Sequence, residues 1–514
     1  MKPAFIFLTL SVALCFQGFS ADTPPPNIIV MMADDMGVGD TSAYQDWTKN
    51  ADADQVKTPS MDRLARMGIR FTDAHASSRC TATRYGLLTG RYSWRTRLKY
   101  AVLKGPQGDP LIELDRPTIA TLLKSRGYRT GMTGKWHVGL TFRDAKGNPA
   151  ASYDVTDLRR GIADGPLDHG FDFFHGTSRS HPSSAPQGWL MNRKVPAATG
   201  PKEVDQTKYI LHETGPVNFR MAKRFLNRHL REDGEKPFFL YYACHSNHLS
   251  HDPCEEIEGV PVKGQSHPGG KRSDFIYEND VVLGQLLKIL ERDDPRNPGH
   301  ALLENTLVIF TSDNGAENAA KTATGPVRSN KGSVYEGGHR VPFIAAWKAG
   351  GIGDGDDASP GQSSDFPIAH VDLFATFAEI TGAPKNGGGE DSFGILEALR
   401  GNPPAKRPPL THNDHKDWGG KSNHQNAAWL AVRMDDPVVD GDVYEGQWKL
   451  FIDQGLLLEG RGKPVELYNL KEDLAESDNR IGSAELKPLV TYLEAELRRY
   501  HDREENEPAE IVVK

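Results

Sequence analysis

Short apolar runs alternate with stretches that carry a helical period along most of this chain. "NIIVMMADD" (27–35) is a continuous apolar run ending in two acids. It predicts a strand buried on both faces, with Asp34 and Asp35 at its carboxyl edge. "TPSMDRLARMG" (58–68) opens on a cap signal, keeps one apolar face and stops at a glycine, as a helix does. "TIATLLKSRGYRTGMTGKWHVG" (118–139) reads as helix, glycine stop, strand and polar loop. "KPFFLYYACHSNH" (236–248) predicts a strand running into a histidine-bearing loop. "NTLVIFTSDNG" (305–315) repeats the first theme and ends in Asp313 and Asn314. "SDFIYENDVVLGQLLKILE" (273–291) and "HVDLFATFAEITG" (370–382) predict helices, and "VPFIAAW" (341–347) a further strand.

This alternation predicts an α/β fold with a large, mostly parallel sheet flanked by helices. In such sheets polar chemistry collects at the carboxyl ends of the strands. Asp34, Asp35, Lys135, His137, His248, Asp313 and Asn314 all follow predicted strands, so one cleft holds them all. Near residue 400 the character changes. "RGNPPAKRPPL" is a proline-rich boundary; "WLAVRM", "QWKLFI" and "VELYNL" then read as short strands, and 484–500 as a last amphipathic helix. The expectation is a main α/β unit over 22–400 and a smaller C-terminal unit over 401–514, an antiparallel sheet plus one helix.

Composition adds three points. A hydrophobic content of 38% and a charged content of 25% describe an ordinary globular chain, and a net charge of −8 gives no support to a nucleic-acid footprint, though a local basic pocket for an anion is compatible with it. The first 21 residues, one lysine followed by an apolar run and then small residues, read as a signal peptide. The run is short for a membrane span, so the mature chain is expected to be secreted or periplasmic. Of four cysteines, Cys15 leaves with that leader. Cys244 and Cys254 are spaced to pair across a short loop, which would leave Cys80 over.

Cys80 stands in "CTATRYGLLTGR". This segment resembles the signature of the formylglycine-dependent sulfatases of the alkaline phosphatase superfamily: Cys or Ser, any residue, Pro, Ser, Arg, with Leu-Thr-Gly-Arg behind. "NIIVMMADDMG", "TPSMDRLARMGIRFTDAHA", "GKWHVG", "GFDFFHG", "PFFLYYACHSNH", "TSDNGAEN", "KGSVYEGGHRVPFI" and "ELYNL" resemble further blocks of that family, in order. Ala82 and Thr83 replace the usual Pro and Ser. The C-x-A-x-R form resembles the relaxed version that radical-type maturases handle.

The resemblance implies a sulfuric ester hydrolase. Cys80 would be oxidised by a formylglycine-generating maturation enzyme to 3-oxoalanine, whose hydrate attacks sulfur. Arg84 would stabilise that nucleophile, and Lys135 and Lys331 would bind the sulfate. His137 would assist the hydroxyl, and His248 would protonate the leaving alcohol. Asp34, Asp35, Asp313 and Asn314, with residue 80, would hold one ion. Such hard oxygen donors suit Ca²⁺ first and Mg²⁺ second. The implied substrate is a sulfated glycan or an aryl sulfate.

Two other readings share these residues. One is a phosphate or phosphonate ester hydrolase of the same superfamily. The other is an inactive glycan-binding protein in which Cys80 stays unoxidised. His245 reads as a histidine supporting its neighbours, His251, His339 and Trp136 as pocket lining at most, and "GGGED" (387–391) as a surface loop. Substrate choice is expected from 141–165, 177–215, 251–272 and 411–427. These stretches carry Arg179, His181, Trp189, His412, His415, Trp418 and His424.

Overall fold

Among the described residues, nine strands make one sheet. They are β1 (Asn27–Ala33), β2 (Ile69–Phe71), β3 (Arg129–Lys135), β4 (Phe173–Thr177), β5 (Leu190–Met191), β6 (Phe238–Ala243), β7 (Thr306–Ser312), β8 (Phe343–Ala346) and β9 (Gln362–Ser364), in the order β9-β2-β8-β7-β1-β6-β3-β4-β5. The computed structural model describes residues 24–99, 102–103, 109–179, 188–318, 320–415, 428–453 and 462–501. The expected leader with Cys15 lies outside them, as do His181, Trp418 and His424.

The five central strands β7, β1, β6, β3 and β4 are parallel, and β8 runs against both its neighbours. Every residue of β1 and β7 is buried, as continuous apolar runs require of strands covered on both faces. Ile28, Val30 and Met32 face one core with α2 (Cys80–Thr89), α3 (Ile119–Lys124) and α6 (Leu373–Thr381). Ile29, Met31 and Ala33 face the other with α1 (Pro59–Met67), α4 (Thr214–Glu232) and α5 (Lys271–Leu290). No described helix is long and apolar enough to cross a membrane.

A second sheet follows the proline-rich segment: β10 (Leu410–His415), β11 (Ala428–Asp435), β12 (Gln447–Asp453) and β13 (Pro464–Asn469), all antiparallel. Leu489, Leu493 and Leu497 of α7 (Lys487–His501) pack on its Leu430, Val432 and Leu450. The mostly parallel sheet with helices on both faces and the smaller antiparallel sheet match the sequence expectation.

A buried ionic network joins the two sheets, and it corrects two expectations. Arg433 of β11 donates to Asp73, and Arg340 pairs with the same carboxylate. Lys449 of β12 donates to Glu336 and Glu476, each at 2.9 Å. His75 and His339 contact through their Nδ1 atoms at 3.0 Å, and His339 stacks on His412 with centroids 3.7 Å apart. His339 is therefore not pocket lining and His412 not a substrate contact; both are buried where the sheets meet. Trp136 is likewise core, donating to the Gly139 carbonyl and stacking beside His169. "GGGED" is a docked brace: Asp391 accepts from Arg95 and from the Tyr92 amide, and Glu390 from Arg116. Cys244 and Cys254 are buried free thiols, so the pair does not form.

Burial holds His75, His339 and His412 below the ordinary imidazole range, against the Asp73 hydrogen bond at His75, with the Lys449 charge adding at His339 and the neighbouring histidines at His412. A base whose folded pKa is depressed binds its proton in the unfolded chain first. Stability is therefore whole above about pH 6.5 and falls as pH drops below it, with a limiting slope of about 1.4 kcal/mol per pH unit for each such histidine. His412→Phe keeps the stacked ring and removes one titration. Urea unfolding between pH 6.5 and 5 should become shallower in pH by up to about 1.4 kcal/mol per unit; an unchanged slope would show that His412 is not held neutral.

Candidate active site

The register of the central strands builds the site. Ala33 pairs with Ser312, so Asp34 and Asp313 emerge side by side where β1 and β7 end. The Asp35 amide donates to Asp313 Oδ1 at 3.1 Å, and the Met36 amide to Ser312 Oγ at 2.9 Å. Asp35 has φ +62° and His137 φ +56°. Non-glycine residues in this left-handed region are held there by their surroundings, and they cluster at functional sites.

Three cations thread the carboxylates. Lys135 Nζ donates to Asp34 at 2.6 Å, and Lys331 Nζ to Asp35 at 2.5 Å. Arg84 donates to Asp313 at 2.8 Å and to the Lys135 carbonyl at 3.0 Å. Asn314 Nδ2 donates to Asp35 at 2.8 Å. Asp34, Asp313, Arg84 and Lys135 are fully buried, whereas Lys331 keeps part of its side chain in solvent.

The electrostatics follow. Burial first, then the Asp313 charge, push the Asp34 carboxyl up to about 8. Burial works against ionising Asp35 and Asp313 too, but Lys331 and His248 at the first, and Arg84 and Lys135 at the second, bring both below the carboxylate range. His137 is held far below the imidazole range by burial and then by Lys135.

Cys80 opens α2 and is buried. It lies within electrostatic reach of Arg84, Lys331 and Arg179. The first amides of a helix have no partner within it, and its positive dipole end favours an anion there. The Thr83 hydroxyl accepts from the Ser77 amide at 2.9 Å and donates to the Ser77 carbonyl at 3.1 Å, tying the turn before Cys80 to the helix. Upstream, Asp414 of β10 clamps Ser78 at 2.6 Å and Arg79 at 2.7 Å.

His248 is half-buried, with Nδ1 2.5 Å from the Leu249 carbonyl. One of its ring nitrogens and one oxygen each of Asp34 and Asp35 lie within 4.8 Å of one another. Burial, then the Lys331 and Lys135 charges, draw His248 down to about 3 against the opposing Asp35. His245 plays the supporting part expected of it, bonded to Thr177 at 2.8 Å and Asn218 at 3.0 Å. His251 sits 3.5 Å from Glu317, off the carboxylate cluster.

Sequence reasoning missed Tyr241, whose hydroxyl is 3.4 Å from Arg84, and Asn218 behind His245. Tyr241 was hidden in the apolar run of β6, and nothing local marks Asn218. Ser178, whose carbonyl accepts from the His137 amide at 3.1 Å, was also passed over.

The donor set suits a hard cation. Asp34 Oδ1 and Asn314 Oδ1 are buried acceptors without a hydrogen-bond donor, and such atoms are costly to leave unmatched. Two of the four expected ligands thus present an open oxygen, beside carboxylates from adjoining strands.

The sulfatase family model matches residues 26–383. The chain belongs to the sulfatase family. It is 30% identical to human arylsulfatase A over 427 residues, covering 79% of this chain and 73% of that protein. It is 27% identical to an N-acetylgalactosamine-6-O-sulfatase of Bacteroides thetaiotaomicron over 517 residues, covering 88% of this chain and 89% of that one. A solved structure from the metabolism of multiple glycosaminoglycans by that bacterium superimposes with a TM-score of 0.71 at 25% identity, covering 94% of this chain and all of the other. This sulfatase is thus a sulfuric ester hydrolase, and the strand-end cluster is its candidate active site.

Arg84 is the cation that Asp313 depends on. Removing one partner of a buried pair typically costs about 3–5 kcal/mol. Arg84→Met should lower the unfolding free energy by that amount in denaturant titration, and a change below about 1 kcal/mol would show that Asp313 does not need the guanidinium.

Proposed function

We propose that this sulfatase is exported and hydrolyses sulfate esters of a sulfated carbohydrate, using a formylglycine made from Cys80 and one bound Ca²⁺. The proposed organisation is a leader over 1–21, a catalytic unit over 22–400 and a smaller unit over 401–514. The observation that carries the reading is the convergence at the start of α2: Lys135 and Lys331 each reach a strand-end carboxylate, and residue 80 lies within reach of Arg84 and Lys331. The carbohydrate assignment rests on the two Bacteroides relatives.

The chain's own residues divide the work. Lys135 and Lys331 are fixed positive charges for the sulfate oxygens, set before substrate arrives, so they cost little reorganisation. Oxidised and hydrated, residue 80 supplies a hydroxyl nucleophile at the positive end of α2. Arg84 stabilises negative charge at that hydroxyl, and His137, kept neutral by burial, accepts a hydrogen bond or proton beside it. Asp34, Asp35, Asp313 and Asn314 would hold the ion, which supplies Lewis acidity to the sulfate group. His248, with Nδ1 committed to the Leu249 carbonyl, delivers a proton from Nε2 to the leaving alkoxide. An anionic ester beside it offsets the lysine charges that keep it deprotonated. Arg179 and Trp189 stand at the rim for recognition of the sugar.

Peptide mass spectrometry should find residue 80 as the aldehyde in active protein, and elemental analysis about one calcium per chain. Full activity from an unmodified cysteine, or from metal-free protein, would refute the mechanism.

Leaving-group dependence tests His248. A sugar alkoxide needs a proton to leave; a nitrophenolate hardly does. His248→Ala should lose on the order of 10²-fold or more on a sugar sulfate and far less on an activated aryl sulfate. Equal losses on both would mean that the acid is another residue. Lys331→Ala, which removes a contact to the sulfate itself, should impair both.

A further inference from the structure

We propose that the outward face of α4 is a binding track for a sulfated polysaccharide chain, holding the polymer beside the active site. Arg220, Arg224, Arg228 and Arg231 follow one another at intervals of four, four and three, which puts them on one side of the helix. All four are exposed, while Phe219, Ala222, Phe225 and Leu226 bury the opposite side. With Lys223 and Asn227 they line an open cleft of about 560 Å³, in which the only acids are Glu232 and Glu258. Glu258 is taken by Lys223 at 2.6 Å, and Glu232 by Arg228 at 2.6 Å and Arg231 at 2.8 Å. Arg220 and Arg224 have no acidic partner among the described residues.

That stripe is not what a merely solvated helix face looks like. Solvated faces mix signs, and like charges four residues apart destabilise a helix. Here five basic residues face a single acid within one helix, in a chain whose net charge is −8. A polyanion would relieve this repulsion, and guanidinium forks match sulfate oxygens as they match other planar or tetrahedral oxyanions.

Its position ties it to the site. α4 leads into β6, so its N-terminal end lies at the edge where the parallel strands end. There Asn218 holds His245, two residues before the stripe begins. The Arg220 charge reaches His175, whose ring lies 4.8 Å from that of Trp189. From Arg220 to Arg231 the track runs about 16 Å down the side of the molecule. A track of that length exceeds one sugar residue, so it suits a polymer and not a small ester. The proposal rests on the carbohydrate reading above.

The test separates polymer binding from turnover. Dextran sulfate and neutral dextran are titrated by calorimetry into the whole protein, the double variant Arg220→Glu/Arg224→Glu, and a control of equal charge change at exposed lysines elsewhere, Lys385→Glu/Lys471→Glu. Expected are salt-sensitive binding of dextran sulfate alone and a rise in Kd of about tenfold or more for the arginine variant only. Its turnover of a small aryl sulfate should stay within about twofold of the parent, which also shows that it is folded. No binding by the parent, a Kd unchanged in the arginine variant, or an equal loss in the control would overturn the track. Salt-sensitive binding lost in the arginine variant, without turnover of any sulfate ester by protein carrying the aldehyde, would support the track and defeat the enzymatic reading instead.

Discussion

Asp34, Asp35 and Asp313 are brought together at two adjoining strand ends and out of water. Each uncompensated carboxylate there would cost several kcal/mol. The surrounding structure answers that repulsion. Lys135 comes from the end of β3, Arg84 from the first turns of α2, and Lys331 from the loop after β7. Lys135 and Arg84 are fully buried with the acids as their ionic partners, while Lys331 reaches in from the surface. The same register sets Cys80 beside the cluster, since Arg84 must lie one helical turn into α2 to reach Asp313. A demand for charge neutrality thus fixes the geometry of the candidate nucleophile.

A second dry ionic cluster, around Asp73, Glu336, Lys449 and Arg433, has the contrasting task. Its partners come from both sheets, and the β10 strand that supplies His412 also supplies Asp414, which clamps Ser78 and Arg79 just before Cys80. The small sheet is therefore a strut for the signature helix as well as an appendage. That is a physical reason for the chain to keep its last hundred residues: without Asp414, the turn that presents residue 80 loses its buried acceptor.

Much of this was legible. Strands β1, β6 and β7 are the apolar runs, and the acids after β1 and β7 announce the cluster, because two polar pairs follow two fully buried strands. Gly68 ends α1 and Gly382 ends α6 as their positions suggested. What stayed hidden depends on partners far along the chain. "EGGHR" reads as loop, yet His339 is fully buried because Lys449, 110 residues later, and His412 close over it. "GGGED" reads as surface, yet Asp391 is claimed by Arg95. Trp136 sits between two lettered site residues, but its side chain points to the apolar core rather than along with theirs. Helix α4 has a regular apolar period, masked by the basic residues between.

Charge balance in the cluster carries the argument one step further. Three carboxyl groups face three cations, so in the pocket as folded no cation stands free to hold an anionic ester. Each ammonium is already engaged by an acid: Lys135 by Asp34, Lys331 by Asp35. An arriving sulfate must therefore compete with carboxylates for the same lysines, which is unfavourable in a dry site. A divalent ion on Asp34, Asp35, Asp313 and Asn314, as proposed above, would remove that competition by taking over the acids and leaving the lysines to the substrate. Metal and sulfate are thus expected to bind here cooperatively, because a cation on the acids would free both lysines for the anion.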